Sequence, residues 1–238
     1  MGLLAVALAP VIAILVYFYV RDRYEKEPKS MLLKAFLVGM ATTILAIIIE
    51  SSMAKYWPYP EEGSMLSLFL FALLGIALIE EGVKFLPLTT MFYPHSEMNE
   101  IYDGIIYGVF ISLGFAAVEN VLYVFHHGYM VGVKRAFMAV PGHAVYGAIM
   151  GFFVGLAKFS DEGKTLLILK GLFYAVLAHA LYDFFLFANL GWLSLLLAVG
   201  VVIYGWKYVN RKIVYANDNS PFREIAEETE ESGETPSV

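Results

Sequence analysis

Ile79-Glu80-Glu81-Gly82-Val83-Lys84 interrupts an apolar run that extends from Met65 to Met91. Two adjacent carboxylates and a lysine in such a run are costly in a bilayer, and charges there normally face a bundle interior or a water-filled cavity. Four residues advance a helix by about 400° and about 6 Å, so Glu80 and Lys84 share one face a turn apart. Glu81 and Lys84, three apart, are also within reach. The stretch reads as a carboxylate site carrying its own buried counter-charge, and the rest of the chain supplies its candidate partners.

The surrounding composition supports a membrane reading. Of 238 residues, 59% are hydrophobic, and the mean hydropathy is +0.67. Several apolar runs reach the roughly 20 residues that a spanning helix needs. Spans are expected at about 3–20, 32–53, 66–93, 101–125, 138–157, 165–188 and 191–209. The fold class is therefore all-α: a polytopic bundle of about seven transmembrane helices, without the short alternating strands of a barrel. The first run lacks a basic leader and a small-residue cleavage pattern, and reads as a retained span.

The formal charge of −6 resides in the C-terminal stretch, because Asp218 to Val238 holds seven acidic residues and one basic one. We divide the chain into a transmembrane domain, residues 1–212, and an acidic tail, 213–238, expected to be disordered. No basic stripe supports nucleic-acid binding. With no cysteine in the chain, thiol catalysis and cysteine-ligated metal are excluded. Arg21 to Lys29 holds four basic residues, which predicts a cytoplasmic loop, an external N-terminus and a cytoplasmic tail. Lys134 and Arg135, in the expected external loop from His126 to Arg135, run against that pattern.

Further polar groups lie inside the spans. Glu119-Asn120 follows Phe115 in the fourth, after Gly104, Gly108 and Gly114. His143 opens the fifth, ahead of Gly147, Gly151 and Gly155 at a spacing suited to close helix packing. His179 and Asp183 share a face of the sixth. Glu119 has two readings, as a counter-ion to Lys84 or as a second working carboxylate. His143 and the His179–Asp183 pair likewise read either as structural hydrogen bonders or as functional groups. Asp103 is a candidate N-cap, and Glu50 is placed near the interface. No serine has a nucleophile-elbow context, and the His-Glu-x-x-His signature is absent. What remains is carboxylate-and-histidine activation of water, and hydrolysis of a peptide bond in or beside the membrane.

The set Glu80-Glu81-x-x-Lys84, Phe115-x-x-x-Glu119-Asn120, His143 and His179-x-x-x-Asp183 resembles the PrsW family of bacterial intramembrane proteases. Tyr17-Phe18-Tyr19, Glu27-Pro28 and Tyr102-Asp103-Gly104-Ile105-Ile106-Tyr107-Gly108 add to the likeness, which covers nearly all of residues 1–210. That family is similar to the CAAX prenyl endopeptidases and, more distantly, to the multi-span scaffold subunit of γ-secretase. The resemblance implies a glutamic intramembrane protease in the bacterial cell membrane. Its substrate would be a single-span membrane protein, an anti-sigma factor cut first on its extracytoplasmic side in a stress response. Glu80 and Glu81 would supply the catalytic carboxylate, with His143 and His179 assisting. Lys84, Glu119, Asn120 and Asp183 would support them, with no metal and no cofactor. One departure stands out, since the prenyl endopeptidases carry histidine where this chain has Glu119. Alternative readings are a zinc-dependent membrane peptidase using His143, His179 and a carboxylate, a non-enzymatic membrane scaffold, and a proton-coupled transporter. The last would predict an internal repeat, and none is visible.

Overall fold

The structure is a computed structural model that describes residues 2–60 and 64–224. Among the described residues, seven helical stretches are long and apolar enough to cross a membrane. They are α1 (Gly2–Arg21), α2 (Lys29–Met53), α3 (Met65–Phe92), α4 (Ile101–His127), a paired stretch Tyr129–Lys158, α7 (Lys164–Phe187) and α8 (Trp192–Asp218). The paired stretch comprises a short α5 (Tyr129–Phe137) and a longer α6 (Ala139–Lys158). The segment expected as an external loop is thus largely helical. The tail expected from residue 213 lies mostly outside the described residues; 213–218 continue α8, with Ile213 and Ala216 buried.

α4 and α6 form the centre and are buried along most of their length, whereas α1, α2, α7 and α8 expose apolar side chains. The central contact depends on backbone proximity. A methyl group at Gly104 would overlap the carbonyl oxygen of Gly151, and one at Gly151 would overlap that of Gly104. With no hydrophobic force to drive helices together inside lipid, such small-residue packing is what brings two helices into contact. Gly39 of α2 meets the Ile111 carbonyl in the same way, which seats α2 on α4.

α3 is not a uniform α-helix. Phe71–Ala77 and Leu88–Phe92 are π-helical, with α-helix over Leu78–Pro87 between them. A π turn widens the helix by one residue and changes the azimuth of whatever follows, which is why such segments recur at functional sites. The second begins just after Pro87, whose missing N–H removes a regular helical bond. Between the two, Glu80, Glu81 and Lys84 all turn inward and are buried.

Asp103 does not cap α4 from the N-cap position, which Glu100 occupies. It lies three residues further on, and its Oδ2 accepts from the backbone N–H groups of Asn99 and Glu100, each at 2.7 Å. Tyr102 donates to the Phe18 carbonyl at 2.7 Å, and Tyr17 donates to Asn210 at 2.6 Å, tying α1 to α4 and α8.

Candidate active site

Lys84 stands at the middle of the buried polar cluster. Its Nζ donates to Glu81 Oε1 at 2.8 Å, to Glu80 Oε2 at 3.1 Å and to His143 Nδ1 at 3.3 Å. It also lies 3.9 Å from the centre of the Phe115 ring, within cation–π range. Helical spacing alone provides the two carboxylate contacts. The contact with His143 requires α6 to pack beside α3 and α4.

Each imidazole has its orientation set by two partners. His143 accepts from Lys84 at Nδ1, so Nε2 carries the hydrogen that it donates to Glu119 Oε2 at 2.9 Å. His179 faces Glu81 Oε1 at 2.9 Å through Nδ1 and Asp183 Oδ2 at 3.4 Å through Nε2. The two rings lie 5.6 Å apart, and Tyr146 stacks on His179 at 4.8 Å. Glu80, Glu119, His143, His179 and Asp183 thus come together, with Glu81 and Lys84 directly behind them.

Glu119 pairs with Arg135 and His143, not with Lys84. Arg135 reaches back from α5 and approaches Glu119 Oε2 to 2.7 Å. The same guanidinium donates from Nε to Asn120 Oδ1 at 2.6 Å, and the Asn120 amide donates to the Ala7 carbonyl at 3.1 Å. Asn120 therefore holds α1 and α5 in place and does not line the cavity.

That cavity has a volume of about 450 Å³. Glu80, Glu119, His143, Tyr146, His179 and Asp183 are among its lining residues, with Arg135 and Lys134 at its α5 wall. Glu81 is fully buried behind it. Three residues were not singled out for the site from the sequence. Arg135 left one trace, a cation on the wrong side of the charge pattern. Tyr146 lies three residues after His143 on the same face, and its buried hydroxyl has no partner among the described residues. Glu50 is drawn toward the cluster from α2, within electrostatic reach of Glu80, Glu119, Lys84 and His179.

The donor types suit zinc, and two triads bring ligand atoms within 4.8 Å of one another: Glu80, Glu119 and His143, and Glu80, Glu81 and His179. Their arrangement does not suit it. The ammonium of Lys84 already bridges Glu80, Glu81 and His143, and both nitrogens of each imidazole are engaged by side chains. A divalent ion would have to displace Lys84, so no metal enters the chemistry below.

Comparison with known proteins identifies the family of the chain. Residues 27–207 match the model of the PrsW family of intramembrane metalloproteases. The protein named Protease PrsW of Bacillus subtilis is 35% identical over 212 residues, which is 89% of this chain and 94% of that one. Its namesake in Geobacillus kaustophilus is 36% identical over 191 residues, covering 80% of this chain and 82% of the relative. That of Clostridioides difficile is 34% identical over 215 residues, covering 87% and 88%. No solved structure matches the chain. A seven-helix bundle with acids and imidazoles gathered at one buried cavity, matched over most of its length by these relatives, belongs to the PrsW family of intramembrane proteases.

Proposed function

We propose that this protease hydrolyses a peptide bond of a single-span membrane protein, with water activated by Glu80. One observation carries the reading: Glu80 lines the same cavity as His143 and His179, while Glu81 is sealed behind it against Lys84 and His179. Glu80 is then the base and Glu81 a positioning residue. Glu80 takes a proton from water as the water oxygen bonds to the scissile carbonyl carbon. The carbonyl electrons move onto oxygen, and the Tyr146 hydroxyl stabilises that oxyanion together with the Nε2–H of His179, which turns from its long 3.4 Å contact with Asp183. Glu80 returns the proton to the departing amide nitrogen as the C–N bond breaks. Lys84 hydrogen-bonds both carboxylates and supplies their counter-charge, and Glu119 with Arg135 fixes the tautomer of His143.

The substrate we infer is a single-span anti-sigma factor, cut first on its extracytoplasmic side. Two features support that side. The cavity lies at the end of the bundle where α4 meets α5 and α7 meets α8, opposite the basic loop after α1. With that loop cytoplasmic by the positive-inside tendency, the N-terminus is external and the cavity sits in the outer half of the membrane. Lys134 and Arg135, which count against this orientation, line the cavity, and Arg135 pairs with Glu119, so a site role accounts for their position.

The test is reconstitution of the full chain in liposomes with a single-span substrate. Wild type is compared with Glu80→Gln, Glu81→Gln, Glu119→Gln, His143→Ala and His179→Ala, with and without a chelator. Glu80→Gln should lose at least about 10²-fold in rate, the usual scale for a general base. Full activity of Glu80→Gln, or loss on chelation with recovery on adding zinc, overturns the proposal.

A further inference from the structure

A second group of acids lies at the other end of the bundle. Glu25 and Glu27 sit in the connection between α1 and α2, and Asp103 in the first turn of α4. One oxygen from each lies within 4.8 Å of one from each of the others. Asp103 and Glu119 are on one helix, sixteen residues or about 24 Å apart, so this cluster is separate from the catalytic cavity.

What distinguishes the cluster is its lack of counter-charge. Glu27 is 2% exposed and Asp103 fully buried, yet Glu27 Oε1, Asp103 Oδ1 and Glu25 Oε2 accept no hydrogen bond from a nitrogen or hydroxyl donor among the described residues; the Glu27 and Asp103 carboxyls instead face each other within hydrogen-bond range. Their other oxygens are used: the Tyr107 hydroxyl donates to Glu27 Oε2, and two backbone amides donate to Asp103 Oδ2. Glu97, Glu100 and Asp22 add further negative charge close by. Lys26, a cation close to them, turns its ammonium onto the carbonyls of Tyr19 and Asp22. No ion pair to Glu25, Glu27 or Asp103 occurs among the described residues. Buried carboxylates in this density need a cation or a shared proton.

We propose that Glu25, Glu27 and Asp103 bind a hard divalent cation, calcium or magnesium, that fastens the α1–α2 connection to the start of α4. Three carboxylates with no nitrogen or sulfur donor select such ions over transition metals. Ligands at about 2.3–2.6 Å from an ion are at most about 4.6–5.2 Å apart, and these oxygens, all within 4.8 Å of one another, are close enough to reach one ion together. Glu25 is the partly exposed member and leaves room for water to complete the shell.

Purified full-length protein in detergent, stripped with EDTA, tests this through thermal unfolding titrated with calcium chloride and, separately, magnesium chloride at pH 8. At least one salt should raise Tm saturably by about 5 °C, the shift expected for a bound-state ligand near 100 times its Kd. Equilibrium dialysis should count about one ion per chain. Glu27→Gln and Asp103→Asn should abolish the shift, and Glu80→Gln should retain it. Glu25→Gln, which alters no fully buried group, should weaken binding at least about 10-fold. Absence of a saturable shift in wild type, or an equal one in Glu27→Gln and Glu25→Gln, overturns the proposal. So does a stabilisation by acid in EDTA that survives Asp22→Asn and is lost in Glu27→Gln, which would mark a proton shared between Glu27 and Asp103.

Discussion

The molecule holds two buried collections of carboxylates, and they are built on opposite principles. At the candidate active-site cavity, Glu80, Glu81, Glu119 and Asp183 face Lys84, Arg135 and two imidazoles, and charged groups meet at 2.7–3.4 Å. At the far end, Asp22, Glu25, Glu27, Glu100 and Asp103 crowd together, and each has at least one oxygen that accepts no hydrogen bond from a nitrogen or hydroxyl donor among the described residues. The first cluster carries its counter-charges within the chain because lipid offers none. The second lies at the other end of the bundle, where Glu25 is partly exposed and solvent can supply a proton or an ion. Removing a charge should therefore have opposite consequences at the two ends.

The largest effect is expected for Lys84→Met. It strands Glu80 and Glu81 as uncompensated buried charges, a loss of about 3–5 kcal/mol where one partner of a buried pair is removed. Tm should fall by about 10 °C in detergent and proteolysis should cease. By contrast, Glu27→Gln in the presence of EDTA should leave Tm unchanged or raise it. A destabilised Glu27→Gln under those conditions would break the comparison.

Arg135→Ala should come next. Its pair with Glu119 is partly exposed, with 14% and 18% of the side chains accessible, so the loss is about 1–3 kcal/mol. Activity should drop more than stability, since Glu119 would no longer hold His143; Arg135→Lys should recover part of it. An Arg135→Ala enzyme with unaltered kcat would separate Glu119 from catalysis.

Tyr146→Phe removes one hydroxyl and little volume. Loss of a single oxyanion donor costs about 10²–10³-fold in kcat, and KM should stay unchanged. A change confined to KM would assign the hydroxyl to substrate binding.

The smallest effect is a pH dependence at the far end. Burial pushes the Asp22 carboxyl from its ordinary 3.8 up to about 8; Lys26 opposes the shift, while Glu100, Glu27 and Glu25 add to it. Folding then takes up a proton between those values, so the native state is favoured at low pH and loses stability as pH rises through the window. With EDTA present, Tm should fall by ~3 °C from pH 7 to pH 8. Asp22→Asn should flatten that slope. A slope equal in Asp22→Asn and wild type would show that Asp22 does not carry it.

Much of this was legible from residue order. Seven apolar runs of spanning length give seven helices, because a bilayer requires every backbone polar group to be satisfied within its own segment. The Glu80, Glu81 and Lys84 contacts follow from helical spacing, and Gly104, Gly108 and Gly151 forecast where α4 and α6 touch. Those features are local, or repeat with the helical period. Four others depend on partners distant in sequence: the choice of Arg135 over Lys84 as partner to Glu119, the turn of Asn120 toward Ala7, the Tyr146 hydroxyl left without a partner among the described residues, and the meeting of Glu27 with Asp103. No pattern in one helix encodes the azimuth at which another packs against it. That azimuth is set by side-chain packing between helices and, in α3, by a π turn that spacing rules do not anticipate.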